Sequence, residues 1–315
     1  MKFSISNNNL IFLGKLFLTS MLIWLIFRET DIPKFIEITE KVNFYYLLQA
    51  LFVFFIQYLI ATFRWRIISI SMGIRSNFFN FLKIFWIGIF FNQALPSNIG
   101  GDAFRIFKLN KLKKGILVAS ACVFIDRVFG LFFLGLILGI SLIFTSLTQE
   151  NDIFLLTSFT LSLIVFLGGL ILMLADHLPY VSRFEKFYVL IKHISTNIRK
   201  LMIENYFRNI VSITSICIHL LTFLIFVFLS QSLNIEIYFS DLVFVISLML
   251  IASAIPISIA GWGVREGIIV FSLSFLGISS EEALSLSILY GLLLIISSIP
   301  GLFFWSASKR ITNYE

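Results

Sequence analysis

Charged residues are scarce in this sequence. Asp, Glu, Lys and Arg together make up 13% of the 315 residues, whereas hydrophobic residues make up 59%, and the mean hydropathy is +0.98. A soluble domain carries roughly twice that share of charged residues, because its surface must be solvated. The composition therefore excludes a soluble globular protein and indicates an integral membrane protein.

Cysteine, histidine and the common catalytic motifs are also rare or missing. Cys122 and Cys217 are the two cysteines, and both lie in apolar runs, so we expect reduced packing residues rather than a disulfide or a metal pair. The sequence contains no phosphate-binding Walker loop, no His-Glu-x-x-His motif and no nucleophile elbow. We therefore expect no cofactor, no metal ion, no catalytic residue and no nucleic-acid partner.

The apolar runs predict six membrane spans, since about 20 apolar residues are needed to cross a bilayer. We expect the first run to remain as an anchor, because no small-residue cleavage pattern follows it. The third run is too long for one simple crossing, so its first turns are expected to be tilted or to lie outside the hydrocarbon core. The predicted spans are residues 10–27, 44–63, 116–147, 153–174, 209–230 and 283–305.

Two further apolar stretches, residues 78–96 and 242–256, do not cross cleanly, because each ends in a segment interrupted by Pro and Gly. The loops on both sides of the first stretch are rich in Lys and Arg, which places them in the cytoplasm. The loops on both sides of the second stretch lack Lys and Arg, which places them outside. The sequence therefore predicts two re-entrant hairpins of opposite sense. It also predicts that both termini are cytoplasmic, in a bacterial inner membrane.

The two predicted hairpins match in sequence. Residues 95–105 and 255–265 share Pro, Ile, Gly and Arg at a constant offset of 160 positions. Two apolar chains rich in Ile and Phe also align by chance, but here the hairpin topology and the flanking spans match as well. We therefore expect a single membrane domain, residues 1–315, built from two inverted repeats at about 10–147 and 153–305.

The predicted fold is an all-α polytopic membrane protein with six transmembrane helices and two re-entrant broken-helix hairpins, broken at Pro96 and Pro256. Inverted repeats with broken helices in matching positions are typical of transporters whose substrate site lies near the bilayer midplane. Non-helical backbone persists at that depth only where it is buried in protein or lines a wet cavity. A substrate site between the two hairpins is the expected consequence.

Candidate substrate-binding residues gather at the first hairpin. Gly100 and Gly101 permit a sharp break, and a helix that starts there would point free N–H groups at an anion. Asp102 is either a helix N-cap or a contact to an ion or substrate. Arg105 begins a series of basic residues three positions apart, which reflects either the positive-inside rule or a strip for anionic lipid headgroups.

The remaining candidates are glycines and charged residues in apolar surroundings. Charge is expensive there and usually faces the protein interior, so each charged pair is either a structural ion pair or a functional one. These candidates are Asp126, Arg127, Gly261, Gly263, Arg265 and Glu266.

Four motifs follow one another along the sequence. They are Arg64-Trp65-Arg66, Leu95-Pro96-Ser97 with Gly100-Gly101-Asp102 and Arg105, Asp126-Arg127-x-x-Gly130-Leu131, and Pro256 through Gly261-x-Gly263-x-Arg265-Glu266. In this order and spacing they resemble the lysylphosphatidylglycerol synthase transmembrane-region family, also called flippase-like domain proteins. The resemblance covers about residues 10–305.

This resemblance implies lipid translocation. In the bifunctional lysyltransferases of the family, the membrane region moves aminoacylated lipid between leaflets, and a separate cytosolic domain makes that lipid. This chain ends ten residues after its last predicted span, so it would be a stand-alone member without the synthase domain. The implied function is movement of a membrane lipid with an anionic or zwitterionic headgroup, without ATPase or aminoacyltransferase activity.

Two other functions stay open. The first is a membrane enzyme acting on a polyprenyl-phosphate or another lipid-linked substrate, with Asp102, Asp126 and Glu266 as base or metal ligands. Such enzymes usually carry paired carboxylates on one loop, whereas these three residues are scattered along the chain. The second is a non-transporting protein that anchors a partner synthase or glycosyltransferase.

Overall fold

The computed structural model is built from helices and short connections. It describes residues 7–28, 30–94, 100–148, 152–177, 185–255 and 258–312. These ranges contain twelve α-helices and no strand. The helices are α1 (Asn7–Arg28), α2 (Ile32–Glu40), α3 (Phe44–Ser71), α4 (Phe78–Ala94), α5 (Gly100–Leu109), α6 (Ile116–Ser141), α7 (Asp152–Leu174), α8 (Glu185–Ile203), α9 (Asn205–Ser232), α10 (Phe239–Ala254), α11 (Val264–Ser274) and α12 (Ser280–Thr312).

Five of the described helices are long and apolar enough to cross a membrane, namely α3, α6, α7, α9 and α12. α1 coincides with the remaining predicted span, residues 10–27. The chain is therefore a polytopic α-helical membrane protein, as the hydropathy pattern predicts.

Several predicted boundaries are wrong. α3 continues to Ser71, so Arg64 and Arg66 lie in the helix and not in the predicted loop 64–77. The predicted loop 175–208 contains the whole of α8, which buries Ile194, Ile198 and Leu201 on one face. Such an amphipathic helix does not register as a continuous apolar run. The long run 116–147 is a single helix of 26 residues, α6, followed by a turn and a 3-10 helix at Ser146–Thr148.

The helices fall into two halves that pack in matching pairs. The first half is α3 to α6, and the second half is α9 to α12. α3 and α9, each 28 residues long, pack against each other more extensively than any other pair. α4 packs on α12, and α10 packs on α6. The short helix of each half therefore lies against the last helix of the other half.

Buried polar side chains join these helix pairs. Gln57 of α3 donates to the backbone oxygen of Ile218 (3.0 Å) and to the hydroxyl of Thr222 (2.6 Å), both on α9. The indole N–H of Trp86 on α4 donates to the backbone oxygen of Ser297 on α12 (3.0 Å). Since a buried donor without a partner is unfavourable, these bonds favour one register for each helix pair.

α4 and α5 form an antiparallel hairpin. The side-chain oxygen of Asn92 accepts from the N–H of Gly101 (2.8 Å), Gly88 lies against Gly101 and Arg105, and the Arg105 guanidinium lies over the ring of Phe85. As α5 advances along the chain, its contacts in α4 therefore move back toward the start of α4. Pro96 and Pro256, at which the sequence predicts the breaks, both lie outside the described residues.

The helices of this hairpin are short. At about 1.5 Å per residue, the 17 residues of α4 extend about 25 Å and the 10 residues of α5 about 15 Å. Both lengths fall below the roughly 30 Å of a hydrocarbon core. α10 and α11, with 16 and 11 residues, also pack against each other, and their lengths are similar to those of α4 and α5.

Candidate functional site

Five charged side chains from three helices form one connected group, which we call the first charged cluster. Its centre is Asp126, whose Oδ1 accepts from Arg64 Nε and whose Oδ2 accepts from Arg105 Nη2, both at 2.9 Å. The members are Arg64 of α3, Asp102 and Arg105 of α5, and Asp126 and Arg127 of α6.

Asp102 connects the rest of the cluster. Its Oδ1 accepts from Arg105 Nη1 (3.3 Å) and Arg127 Nη2 (3.2 Å), and its Oδ2 accepts from Arg127 Nε (2.9 Å). Asp102 lies in the first turn of α5, which begins at Gly100, so the N-cap interpretation of this residue is wrong. A carboxylate in the first turn is also favoured by the helix dipole.

The arginines have further contacts in the helix core. Arg64 Nη1 donates to the hydroxyl of Ser215 on α9 (3.0 Å). The Arg105 guanidinium lies 4.1 Å from the ring centre of Trp65 and 4.9 Å from that of Phe85, distances typical of cation–π contacts. Arg105 Nε is buried and has no hydrogen-bond acceptor among the described residues.

The first charged cluster is buried at one end and open at the other. The side chains of Arg64, Arg105 and Asp126 are 9%, 5% and 5% exposed, that of Asp102 is 17% exposed, and that of Arg127 is 52% exposed. A ligand approaching from outside would therefore meet Arg127 first and Asp102 next.

The second charged cluster is formed by Arg265, Glu266 and Ser287. Glu266 Oε1 accepts from Arg265 Nε (2.9 Å), from Arg265 Nη2 and from the hydroxyl of Ser287 (3.2 Å). The Arg265 guanidinium lies 4.4 Å from the ring centre of Trp262. Both charged side chains are 4% exposed, so the second charged cluster is a closed ion pair.

The glycines of the second hairpin shape the start of α11. Gly261 and Gly263 have φ angles of +81° and +85°, a region that suits glycine. The other carboxylate oxygen of Glu266 accepts from the N–H of Gly263 (2.6 Å). The N–H of Gly101, which we expected to be free, is engaged by Asn92, and that of Gly263 is engaged by Glu266.

The structure groups the predicted charged residues into these two clusters. It adds Arg64, Ser215 and Ser287, which the sequence did not single out as site residues. Arg64 was expected in a cytoplasmic loop, and Ser215 lies in an ordinary apolar span. The apolar residues that follow Trp65 were the available signal, because they continue the helix past Arg64. The predicted basic series also splits, since Arg105 lies on the buried face of α5 while Lys111 is exposed.

Two crevices lie elsewhere in the fold. One has a volume of about 220 Å³ and runs between α6 and α7, and a smaller one lies where these helices meet α8. Their lining is mostly apolar and includes no residue of either charged cluster. The headgroup cavity between the two hairpins therefore stays a prediction. Among the described residues, His, Cys, Asp and Glu form no group of three that could hold a metal ion.

The apolar helices surround two buried clusters of arginine and carboxylate side chains. The chain is therefore a polytopic membrane protein with ion pairs in its interior. The family model described as "Lysylphosphatidylglycerol synthase TM region" matches residues 12–301, and the chain belongs to this family. It is also 28% identical over 130 residues to a UPF0104 membrane protein of Methanocaldococcus jannaschii. That match covers 39% of this chain and 39% of the relative's length.

Proposed function

We propose that this chain moves a phospholipid or lipid-linked substrate between the two leaflets of the membrane, without ATPase or aminoacyltransferase activity. The proposal rests on Arg105 and Arg265, which are buried arginines in matching hairpins, each beside an aromatic ring and a carboxylate. A guanidinium group suits a phosphate headgroup because its planar fork binds two oxygens at once.

The proposal includes two inverted repeats, at about residues 10–147 and 153–305. The exchange of packing partners between the two halves supports it, as do the matched helix lengths of α3 with α9, α4 with α10, and α5 with α11. In this arrangement α4–α5 and α10–α11 are re-entrant hairpins that enter from opposite faces. Both termini then lie in the cytoplasm of a bacterial inner membrane.

In the proposed mechanism, the headgroup moves through the protein while the acyl chains stay in the bilayer. The carboxylates of Asp102, Asp126 and Glu266 act as resident partners of the guanidiniums. An arriving phosphate replaces a carboxylate as acceptor, so one charge-assisted hydrogen bond is exchanged for another. Such an exchange avoids leaving a buried arginine without a counter-charge. The movement is downhill or coupled to an ion.

The test is a leaflet-exchange assay in proteoliposomes with fluorescent lipids of several headgroups and dithionite quenching. We expect protein-dependent exchange, and we expect Arg105→Lys and Arg265→Lys to slow it while leaving insertion intact. Lys111→Gln, which removes an exposed charge just beyond α5, is the matched control. Exchange rates equal to those of protein-free vesicles for every lipid would reject the proposal.

A lipid analysis of a deletion strain separates translocation from the enzymatic alternative. Loss of one lipid species would point to an enzyme that makes or modifies it. A normal lipid pool with an altered distribution between leaflets would support translocation. Co-purification of a synthase or glycosyltransferase would identify the partner that supplies the lipid.

A further inference from the structure

The two charged clusters differ in net charge. The first charged cluster holds three guanidinium groups and two carboxylates, which leaves one positive charge uncompensated. The second charged cluster holds one guanidinium and one carboxylate and is neutral. The two hairpins therefore offer different electrostatic environments to a substrate.

The difference in net charge follows from the residues at matching positions of the two halves. An offset of 160 residues places Arg265 opposite Arg105, but it places uncharged residues opposite the other four members of the first charged cluster. Opposite Arg64, Asp102, Asp126 and Arg127 stand Leu224, Trp262, Leu286 and Ser287. Only one arginine of the cluster is thus repeated, and the surplus charge is confined to the first half.

The surplus charge is spread over a cluster that is largely buried. Arg105 is bound by Asp126 and Asp102, each of which also binds a second arginine, and the side chains of Arg64, Arg105 and Asp126 are at least nine-tenths buried. A buried charge without a partner is unfavourable, and so is the buried Arg105 Nε, which has no acceptor among the described residues. An anion would supply both the missing charge and an acceptor.

Asp102 marks the place where such an anion would bind. Its two oxygens accept from Arg105 Nη1 and from two nitrogens of Arg127, Nε and Nη2. A phosphate group presents oxygens with a comparable spread and would satisfy the same forks. Arg127 is half exposed, so this place can be reached from outside the helix core.

From this asymmetry we infer that the first charged cluster selects lipids whose headgroup carries a net negative charge, such as a phosphodiester without an amine. The neutral second charged cluster does not discriminate by charge. This inference rests on the proposed lipid translocation and narrows its substrate class. A zwitterionic headgroup would bring its own positive charge into a cluster that already has a surplus of one.

The transport test compares acyl-labelled phosphatidylglycerol with acyl-labelled phosphatidylcholine in the same proteoliposomes. Phosphatidylcholine brings an additional positive charge to a cluster that already has a surplus of one, and a repulsion of about 1.4 kcal/mol corresponds to a factor of ten, so we expect phosphatidylglycerol to move about ten times faster. Arg127→Gln, which removes the surplus charge, should bring the two rates close together. Arg199→Gln is the control, because Arg199 pairs with Asp176 outside both clusters.

A binding test uses thermal unfolding of the purified protein in non-ionic detergent. We expect added phosphatidylglycerol to raise the unfolding temperature of the unchanged protein and of Arg199→Gln, but not of Arg127→Gln. Phosphatidylcholine should have a smaller effect. Glycerol phosphate tests whether a soluble phosphate suffices, and equal protection by glycerol phosphate would overturn the lipid assignment.

The two proposals fail in different ways. Equal transport of both lipids, unchanged by Arg127→Gln, would overturn the selectivity and leave translocation standing. No transport of any lipid would reject translocation. Arg127-dependent protection by phosphatidylglycerol in detergent would then still support an anionic lipid site.

Discussion

Asp126 is the residue on which the first charged cluster depends. It is the carboxylate shared by Arg64 and Arg105, and its side chain is 5% exposed. Breaking a buried ion pair from one side is more harmful than removing the whole pair, because the remaining charge stays buried without a partner. The stability of the protein should therefore respond more to Asp126 than to either arginine.

We predict that Asp126→Ala lowers the free energy of unfolding by about 3–5 kcal/mol. Combining it with Arg105→Leu should restore part of that loss, because one of the two guanidiniums that lost Asp126 as a partner is then removed. The measurement is unfolding of single and double variants in detergent, with the exposed Glu236→Ala as control. Asp126→Ala as stable as Glu236→Ala would show that Asp126 does not neutralise the arginines.

At this scale the sequence predicted which residues are buried better than it predicted which ones pair. A charge within an apolar run usually faces the interior, and Asp126 and Arg265 both do. Arg127, next to Asp126 in the same run, is the exception, since its side chain is half exposed. Partner choice depends on how distant helices pack. Asp126 binds Arg64, which lies 62 positions away, whereas Arg265 binds its neighbour Glu266. A single sequence does not contain the helix packing that decides between such partners.

The α4–α5 hairpin depends on a close approach of two helices. Gly88 of α4 and Gly101 of α5 lie so near each other that a Cβ atom on Gly101 would overlap the carbonyl oxygen of Gly88. It would also come within 2.6 Å of the Asn92 side-chain oxygen that accepts from the N–H of Gly101. Small residues allow this kind of close helix contact in membrane proteins.

We therefore predict that Gly101→Ala separates α4 from α5. Overpacking of this kind should lower the free energy of unfolding by about 1–3 kcal/mol. It should also slow lipid exchange, since Arg105 lies one turn further along α5. Gly267→Ala is the matched control, because a Cβ atom there meets no atom within 4 Å. Unfolding temperatures and exchange rates would be measured for both, and equal behaviour would contradict the close-approach argument.

At the scale of whole helices, hydropathy located the five described helices that are both long and apolar enough to span the membrane. It did not locate α2 or α8, and it ended α3 before Arg64. The reason is physical, since an amphipathic helix and a helix carrying a paired arginine both lower the local hydropathy without ending the helix. Periodicity and partners decide those cases, and the partners come from distant parts of the chain.

The proposed topology of the whole molecule can be tested with single cysteines. In a background lacking Cys122 and Cys217, we predict that Asn77→Cys and Lys111→Cys are protected from an impermeant maleimide in intact cells. Glu40→Cys and Glu236→Cys should react. All four positions are exposed in the structure, so a difference in labelling reports the side of the membrane rather than burial.

The labelling of Asn77→Cys and Lys111→Cys, which lie before and after the α4–α5 hairpin, decides whether this hairpin is re-entrant. If Asn77→Cys and Lys111→Cys were labelled from opposite sides, the hairpin would cross the membrane, and the inverted repeat would fail. Permeabilised cells, in which all four variants should react, provide the control for expression and reactivity.

The exchange of packing partners between the two halves also has a consequence for how the chain is made. α4 has its most extensive packing contact with α12, the last of the described helices, where the Trp86 indole donates a hydrogen bond to the backbone oxygen of Ser297. A ribosome delivers α4 to the membrane well before it has synthesised α12. Until then, Trp86 can pack on Phe55 and Tyr58 of α3 but lacks its hydrogen-bond acceptor on α12. We therefore expect the first hairpin to reach its final position only after α12 has been inserted.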